Sequence, residues 1–392
     1  MESDARHIRG FNGLRAIAVA LVFIAHKLGL GQVDIGRVGL WLFFVLSGYL
    51  IVGILHRERI GCESGRTSPG PAIKRFFFRR TLRIFPIYYL LLAACALVLA
   101  YAHYTANQSI AALFIGGATG LIYRAFYLSN FLVGVKLHHW VGLLDHLWSL
   151  SIEEQFYIVM APLVLLMPSR HHMKLCIGVF VIGVVSIFLL RGFKVDETFT
   201  YTFTLCNFAI IVSGAMGRLA STWLKPHLSG RALPMALACA VIVLTLDRDL
   251  IVGPASAPVI QAVIDLAIIA GCATVVIWIA SNQFSRITGW LEWRPLEYVG
   301  RISYGVYLYH MFVPDFGSGG KLAAKFGLPI TPLTVVVGLL VCFAMTVGVA
   351  HLSWRYIEQP ILRLKDRRIG LEIGGRTGGA TPPATTTTIV ES

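Results

Sequence analysis

The stretch Leu14–Leu28, LRAIAVALVFIAHKL, decides the fold, because it sets Arg15 and His26 eleven positions apart inside an otherwise apolar run. Eleven residues is close to three helical turns, so on a helix the two side chains share one face, separated along the axis by roughly 16 Å. A hydrocarbon core is roughly 30 Å thick, so a guanidinium at one membrane edge leaves the imidazole about halfway across. Ionisable groups at that depth are costly and usually face a bundle interior where they act. The structural alternative is an interfacial arginine plus a histidine satisfied by a neighbouring helix.

Composition gives the same class. Of 392 residues, 56% are hydrophobic and 14% charged, against about 25% charged in a soluble domain. The chain therefore reads as an all-α polytopic membrane protein, with about ten transmembrane helices in one bundle. The ten apolar runs include Phe199–Leu219, Leu233–Leu246 and Val299–Val313, and close with Leu333–Leu352. Residues 1–9 read as a cytoplasmic segment, 10–365 as the membrane domain, and 366–392 as a disordered, Gly/Thr/Pro-rich cytoplasmic tail.

Lysine and arginine collect in cytoplasmic loops. With the N-terminus inside, the connection from His56 to Arg83 is also inside and carries eight arginines and lysines, Arg57 to Arg83. Roughly 25 of the 34 basic residues fall inside on this assignment. Both termini are then cytoplasmic. The net charge of +14 follows from this bias and does not imply nucleic acid, since the basic residues are spread among loops. Seven cysteines lack any C-x-x-C spacing, so no disulfide framework or zinc site is implied. The first apolar run contains the Arg/His pair and no cleavage pattern, so it does not read as a cleavable signal.

A second constellation is KRFFFRRTLRIFPIYYLLL, Lys74–Leu92. Arg80 and Arg83, three apart, project from one helical face at the same membrane edge as Arg15. Three converging guanidiniums make a site for phosphate, which arginine binds through a fixed fork of donors. The structural alternative is a positive-inside flank with snorkelling side chains, and it is preferred for Arg75 and Arg79. A third cluster, DHLWSLSIEEQFY, spans Asp145–Tyr157. Ser151 and Glu154 read as a capping box, which leaves Glu153 free. With Asp145 and His146 it forms a polar extracytoplasmic vestibule suited to a hydroxylated ligand. His138 and His139, lacking a third ligand, imply no metal.

Six segments in order, GFNGLRAIAVALVFIAH, LFFVLSGYLI, FFFRRTLRIFPIYYL, HLWSLSIEEQFYIVMAPL, ISYGVYLYHMF and WRYIEQPILR, resemble acyltransferase family 3. That family comprises membrane acyltransferases acting on sugars, polysaccharides, nodulation factors or antibiotics. The resemblance runs from about Gly10 to Arg363. It implies that Arg15 with His26, and Arg80 with Arg83, are tied to activity, and it matches Glu153 and Glu154 to the E-E-Q-F-Y segment and Ser47, Gly48 and Tyr49 to an S-G-Y turn. Asn12 departs from the aspartate that members often carry before G-L-R, which weakens any role needing a carboxylate there. Many polysaccharide-modifying members also carry an esterase-like extracytoplasmic domain, and none is read in these 392 residues.

The expected function is a membrane O-acyltransferase of the bacterial inner membrane. It would move an acetyl or other acyl group from cytoplasmic acyl-CoA, a co-substrate, to a hydroxyl of a glycan, glycolipid or glycosylated metabolite, with no permanently bound cofactor. Arg80, Arg83 and Arg15 would hold the donor phosphates. His26, a neutral base when buried, would take the acceptor proton or carry the acyl group. Glu153 would orient the acceptor or the imidazole, and Asp145, His146 and Tyr49 would bind substrate. A transporter or flippase exporting an acylated or polyanionic molecule is the alternative, and a catalytically silent scaffold in an export complex is a third.

Overall fold

The computed structural model describes residues 8–28, 35–114, 116–138, 140, 142–244, 258–313, 327, 329 and 331–363, and no strand occurs among them. The domain boundary at 365 and the tail beyond it lie outside the described residues. Each of the ten apolar runs is mostly helical where it is described, with breaks at Phe203 and Ile302. The principal helices are α1 (Phe11–Leu28), α2 (Ile35–Glu63), α3 (Pro69–Tyr104), α4 (Gly117–Ala125), α5 (Trp148–Leu166), α6 (His172–Gly192) and α7 (Thr204–Leu219). They continue with α8 (Ser221–Leu228), α9 (Leu233–Leu244), α10 (Pro258–Ser281), α11 (Arg294–Arg301), α12 (Ser303–Tyr309) and α13 (Pro332–Ser353).

Seven helical segments are long and apolar enough to cross a membrane, and α7 with α8, bent by 79°, would make an eighth. The chain is a polytopic helical membrane protein. Of the predicted spans, Leu233–Leu246 carries the shorter helix α9 where it is described, and Val299–Val313 is divided among the end of α11, α12 and the turn 310–313.

Local chemistry sets the helix ends. Extended Ser68 precedes Pro69, whose missing N–H costs nothing in a first turn. Thr331 and Thr334 form a reciprocal capping box at the start of α13. The capping box expected at Ser151 is absent, because α5 begins earlier, at Trp148, after the single turn Asp145–Leu147. Ser151 instead donates to the Leu147 carbonyl at 3.2 Å and accepts from the Ser129 N–H at 3.2 Å. Ser47, Gly48 and Tyr49 lie within α2 and form no turn.

Packing is closest where glycines face backbone. A Cβ on Gly48 would sit 1.7 Å from the Ile211 carbonyl oxygen, and one on Gly214 2.0 Å from that of Val45. Small residues let membrane helices approach this closely, so α2 and α7 form the spine of the bundle. Gly13 against Leu291 and Gly300 against Asn12 dock α1 on the chain around α11 in the same way.

Buried charge pins the rest. Asp265 of α10 is 4% exposed, and a lone carboxylate there would be prohibitively costly. Two guanidiniums answer it, Arg191 at 2.6 Å and Arg37 at 3.1 Å, and both arginines also reach Glu197 at 3.2 Å. This network ties α2, α6 and α10 together at the end where α1 finishes. At the opposite end Glu63 accepts from the N–H and hydroxyl of Ser169, fastening α2 to the approach of α6.

Candidate active site

Helical spacing places Arg15 on the second turn of α1 and Arg80 and Arg83 on one face of α3. The bundle turns both faces into one cavity of about 740 Å³, open mouth included. Glu153 and Tyr157, four apart on α5, enter the same cavity, as do Ser47 of α2 and Tyr304 and Tyr307 of α12. Arg15, Arg80 and Glu153 are half-buried, and Arg83 is exposed.

The polar contacts are directional. The Tyr157 hydroxyl donates to Glu153 Oε2 at 3.3 Å and lies 3.0 Å from the Ser47 hydroxyl, while Arg80 sits 5.3 Å above the Tyr157 ring. Among the described residues no carboxylate lies within 4.0 Å of the Arg80, Arg83 or Arg15 guanidinium. Arg15 donates to the Asn12 side-chain oxygen at 3.2 Å, and the Asn12 amide donates to Glu297 at 3.0 Å. The carboxylate missing at Asn12 is thus supplied one step away, and Arg15 is oriented without being neutralised by a direct ion pair. Three guanidiniums facing a cavity with their charge unspent are suited to an anion with several oxygens.

Pro86 within α3 removes the N–H that would bond the preceding turn. In that turn the Tyr304 hydroxyl donates to the Ile84 carbonyl at 3.2 Å, fixing α12 against the arginine face. Tyr307 and Ser149 close the far wall, their hydroxyls 2.6 Å apart, and Tyr307 also donates to the His146 carbonyl at 2.8 Å. Behind that wall lie three imidazoles, His146, His310 and His26, with successive ring centroids 5.0 Å apart. His26 does not line the cavity; it is exposed and reaches His310 at 3.1 Å.

The remaining predicted residues sit elsewhere. Asp145 accepts from Arg124 at 3.1 Å and from the Gly142 N–H at 2.6 Å, and both side chains are buried. Burial holds the Arg124 guanidinium below its ordinary range, and the neighbouring Asp145 offsets part of that shift. His146 is 4% exposed and packs on Tyr307 and His310, and its Nδ1 has no hydrogen-bond partner among the described residues. Tyr49 is buried edge-on against Phe11, beside Arg218, outside the cavity. Glu154 is buried, and its Oε1 has no hydrogen-bond partner among the described residues.

Ser47, Tyr157, Ser149, Tyr307, His310 and Glu297 received no role from sequence. Tyr157 was legible as the residue one helical turn beyond Glu153. His310 carries the same signal as His26, an ionisable group in an apolar run. The pairing of α12 with α3 and α5 has no local signature.

The family model described as an acyltransferase domain matches residues 8–350. The chain is 26% identical over 376 residues to the peptidoglycan O-acetyltransferase OatA of Listeria monocytogenes, covering 91% of this chain and 56% of that protein. It is 26% identical over 386 residues to the O-acetyltransferase OatA of Staphylococcus aureus, covering 91% and 57%. A Bacillus subtilis protein, YrhL, provisionally described as a peptidoglycan O-acetyltransferase, is 27% identical over 388 residues, covering 91% and 55%. The chain thus spans little more than half the length of these relatives. No solved structure matches it significantly.

Proposed function

This chain belongs to the acyltransferase-domain family, and from that premise we propose that it is a membrane O-acetyltransferase that esterifies a glycan hydroxyl. The observation that carries the reading is the set of three guanidiniums, Arg15, Arg80 and Arg83, lining one cavity with no carboxylate paired to any of them among the described residues. An acyl-CoA presents several phosphates on a nucleotide and a thin arm ending in the thioester, so the arginines would hold the phosphates while the arm extends toward Tyr307. On the topology read from the basic loops, this mouth faces the cytoplasm, where acyl-CoA is made, and the bacterial relatives favour the inner (plasma) membrane.

His26 lies outside the cavity lining, so in this reading the thioester end of the donor arm passes beyond Tyr307 to meet it. His26 takes the proton of the acceptor hydroxyl as that oxygen bonds to the thioester carbonyl carbon; the C–S bond breaks, and CoA leaves as a thiolate that recovers the proton. Glu153, held by Tyr157, orients the donor arm or the acceptor beside Arg80. Names of the relatives favour peptidoglycan as the acceptor class.

Purified protein in detergent, given isotope-labelled acetyl-CoA and soluble peptidoglycan fragments, should produce fragments heavier by one labelled acetyl group. His26→Ala should accumulate normally and yield none. A well-folded His26→Ala protein with near-normal product would remove the base from this account, and a wild-type protein without product would remove the function.

A further inference from the structure

His310 is buried, 1% exposed, and its two ring nitrogens have different partners. Nδ1 lies 2.6 Å from the Tyr307 carbonyl oxygen, and Nε2 lies 3.1 Å from His26 Nδ1. A carbonyl oxygen has no proton to give, so His310 Nδ1 must carry the hydrogen. A neutral imidazole then has a bare Nε2, which accepts. A neutral His26 completes the second contact by donating from Nδ1–H, and that leaves its Nε2 with a lone pair on the opposite side of its ring.

The charged alternative is disfavoured by the surroundings. The groups facing the pair are His146, Tyr307 and the Val22 carbonyl, which accepts from the His26 ring one helical turn back, with Lys27 alongside, whose ammonium donates to the Val313 carbonyl at 2.8 Å. No carboxylate lies within 4.0 Å of His310 among the described residues. A second proton on His310 would be a buried cation without a counter-ion.

We infer that His310 is a positioning residue that locks His26 in the Nδ1–H tautomer, so that Nε2 is the atom that takes the acceptor proton. The chain of donors runs His26 Nδ1–H to His310 Nε2, then His310 Nδ1–H to the Tyr307 carbonyl. When Nε2 gains the acceptor proton, His26 becomes an imidazolium whose two protons are both placed, one toward His310 and one toward the departing thiolate. The inference rests on the acetyltransferase reading for its chemistry, whereas the tautomer itself does not. Because Tyr307 also forms the far wall of the arginine cavity, the same short helix that ends the donor pocket orients the base.

Two variants separate orientation from packing. His310→Gln keeps a side-chain carbonyl that can accept from His26 Nδ1–H and an amide that can donate to the Tyr307 carbonyl; His310→Leu keeps neither. Histidine-ring 15N spectra of the full chain in bilayers, with His26 assigned by its loss in His26→Ala, should show Nδ1–H and a bare Nε2 in the wild type. His310→Leu should convert His26 toward the Nε2–H tautomer and lower kcat by about a hundredfold or more, with KM for acetyl-CoA changed by less than about twofold. His310→Gln should hold the wild-type tautomer and recover at least about a tenth of kcat. An Nε2–H tautomer in the wild type, wild-type kcat in His310→Leu, or equal losses in two variants of unchanged thermal stability would each overturn the inference. A wild-type protein inactive toward acetyl-CoA but with His26 in the Nδ1–H form would instead count against the functional reading while upholding the tautomer assignment.

Discussion

Asp145 accepts from Arg124 and from the Gly142 N–H, so its removal takes a carboxylate away from a guanidinium that is 1% exposed. Breaking a buried pair from one side costs about 3–5 kcal/mol. Asp145→Ala should therefore unfold at markedly lower temperature in detergent, whether or not an acceptor is present. Wild-type stability with a raised acceptor KM would return Asp145 to the substrate-binding role its position before Glu153 suggested. Arg15, Arg80 and Arg83 were legible because helical spacing fixes which residues share a face and the basic loops fix which faces share an end, whereas Glu153, expected with Asp145 and His146 in an extracytoplasmic vestibule, lines the arginine cavity without them. Asn12 shows where that reasoning stops. A missing carboxylate read as a weakness, yet Glu297, far away in sequence, fills the gap through the Asn12 amide. No local pattern announces a partner that arrives from another helix.

At the scale of the helix, period and hydropathy located the apolar runs, but the way α2 meets α7 depends on individual glycines. Gly48→Ala would drive its methyl to within 1.7 Å of the Ile211 carbonyl oxygen, and the helices would have to part. Overpacking of this kind costs about 1–3 kcal/mol or more. Gly178→Ala, in α6, is the control, since nothing lies within 4 Å of the added methyl. It should be neutral or stabilising by up to about 1 kcal/mol. Thermal unfolding of both variants checks the pair, and equal stability would mean that α2 and α7 approach less closely than described. The polar start of α5 misled the sequence reading for a related reason: Ser151 resembles a cap, but the turn Asp145–Leu147, held by Arg124, lets the helix begin at Trp148.

Across the whole molecule, the antiparallel order of α1, α2 and α3 puts Arg15, Arg80 and Arg83 at one end and His26 toward the other. The positive-inside bias gives that arrangement a direction in the membrane. A reporter fused after Arg368 should behave as cytoplasmic, and one inserted near Lys136 as extracytoplasmic. A cytoplasmic signal from the Lys136 site would turn the arginine mouth away from the compartment that supplies acyl-CoA.

Binding of acetyl-CoA to detergent-purified variants tests the central claim most directly, because it separates holding the donor from transferring its acyl group. Charge-assisted contacts are each worth roughly 1.5–3 kcal/mol, so Arg80→Ala and Arg83→Ala should each weaken binding about tenfold or more. Lysine at either position should recover only part of the loss, for lack of the two-pronged contact. His26→Ala should bind as the wild type does. Unchanged affinity in both alanine variants would contradict the account and return the two arginines to anchoring the chain at the membrane surface.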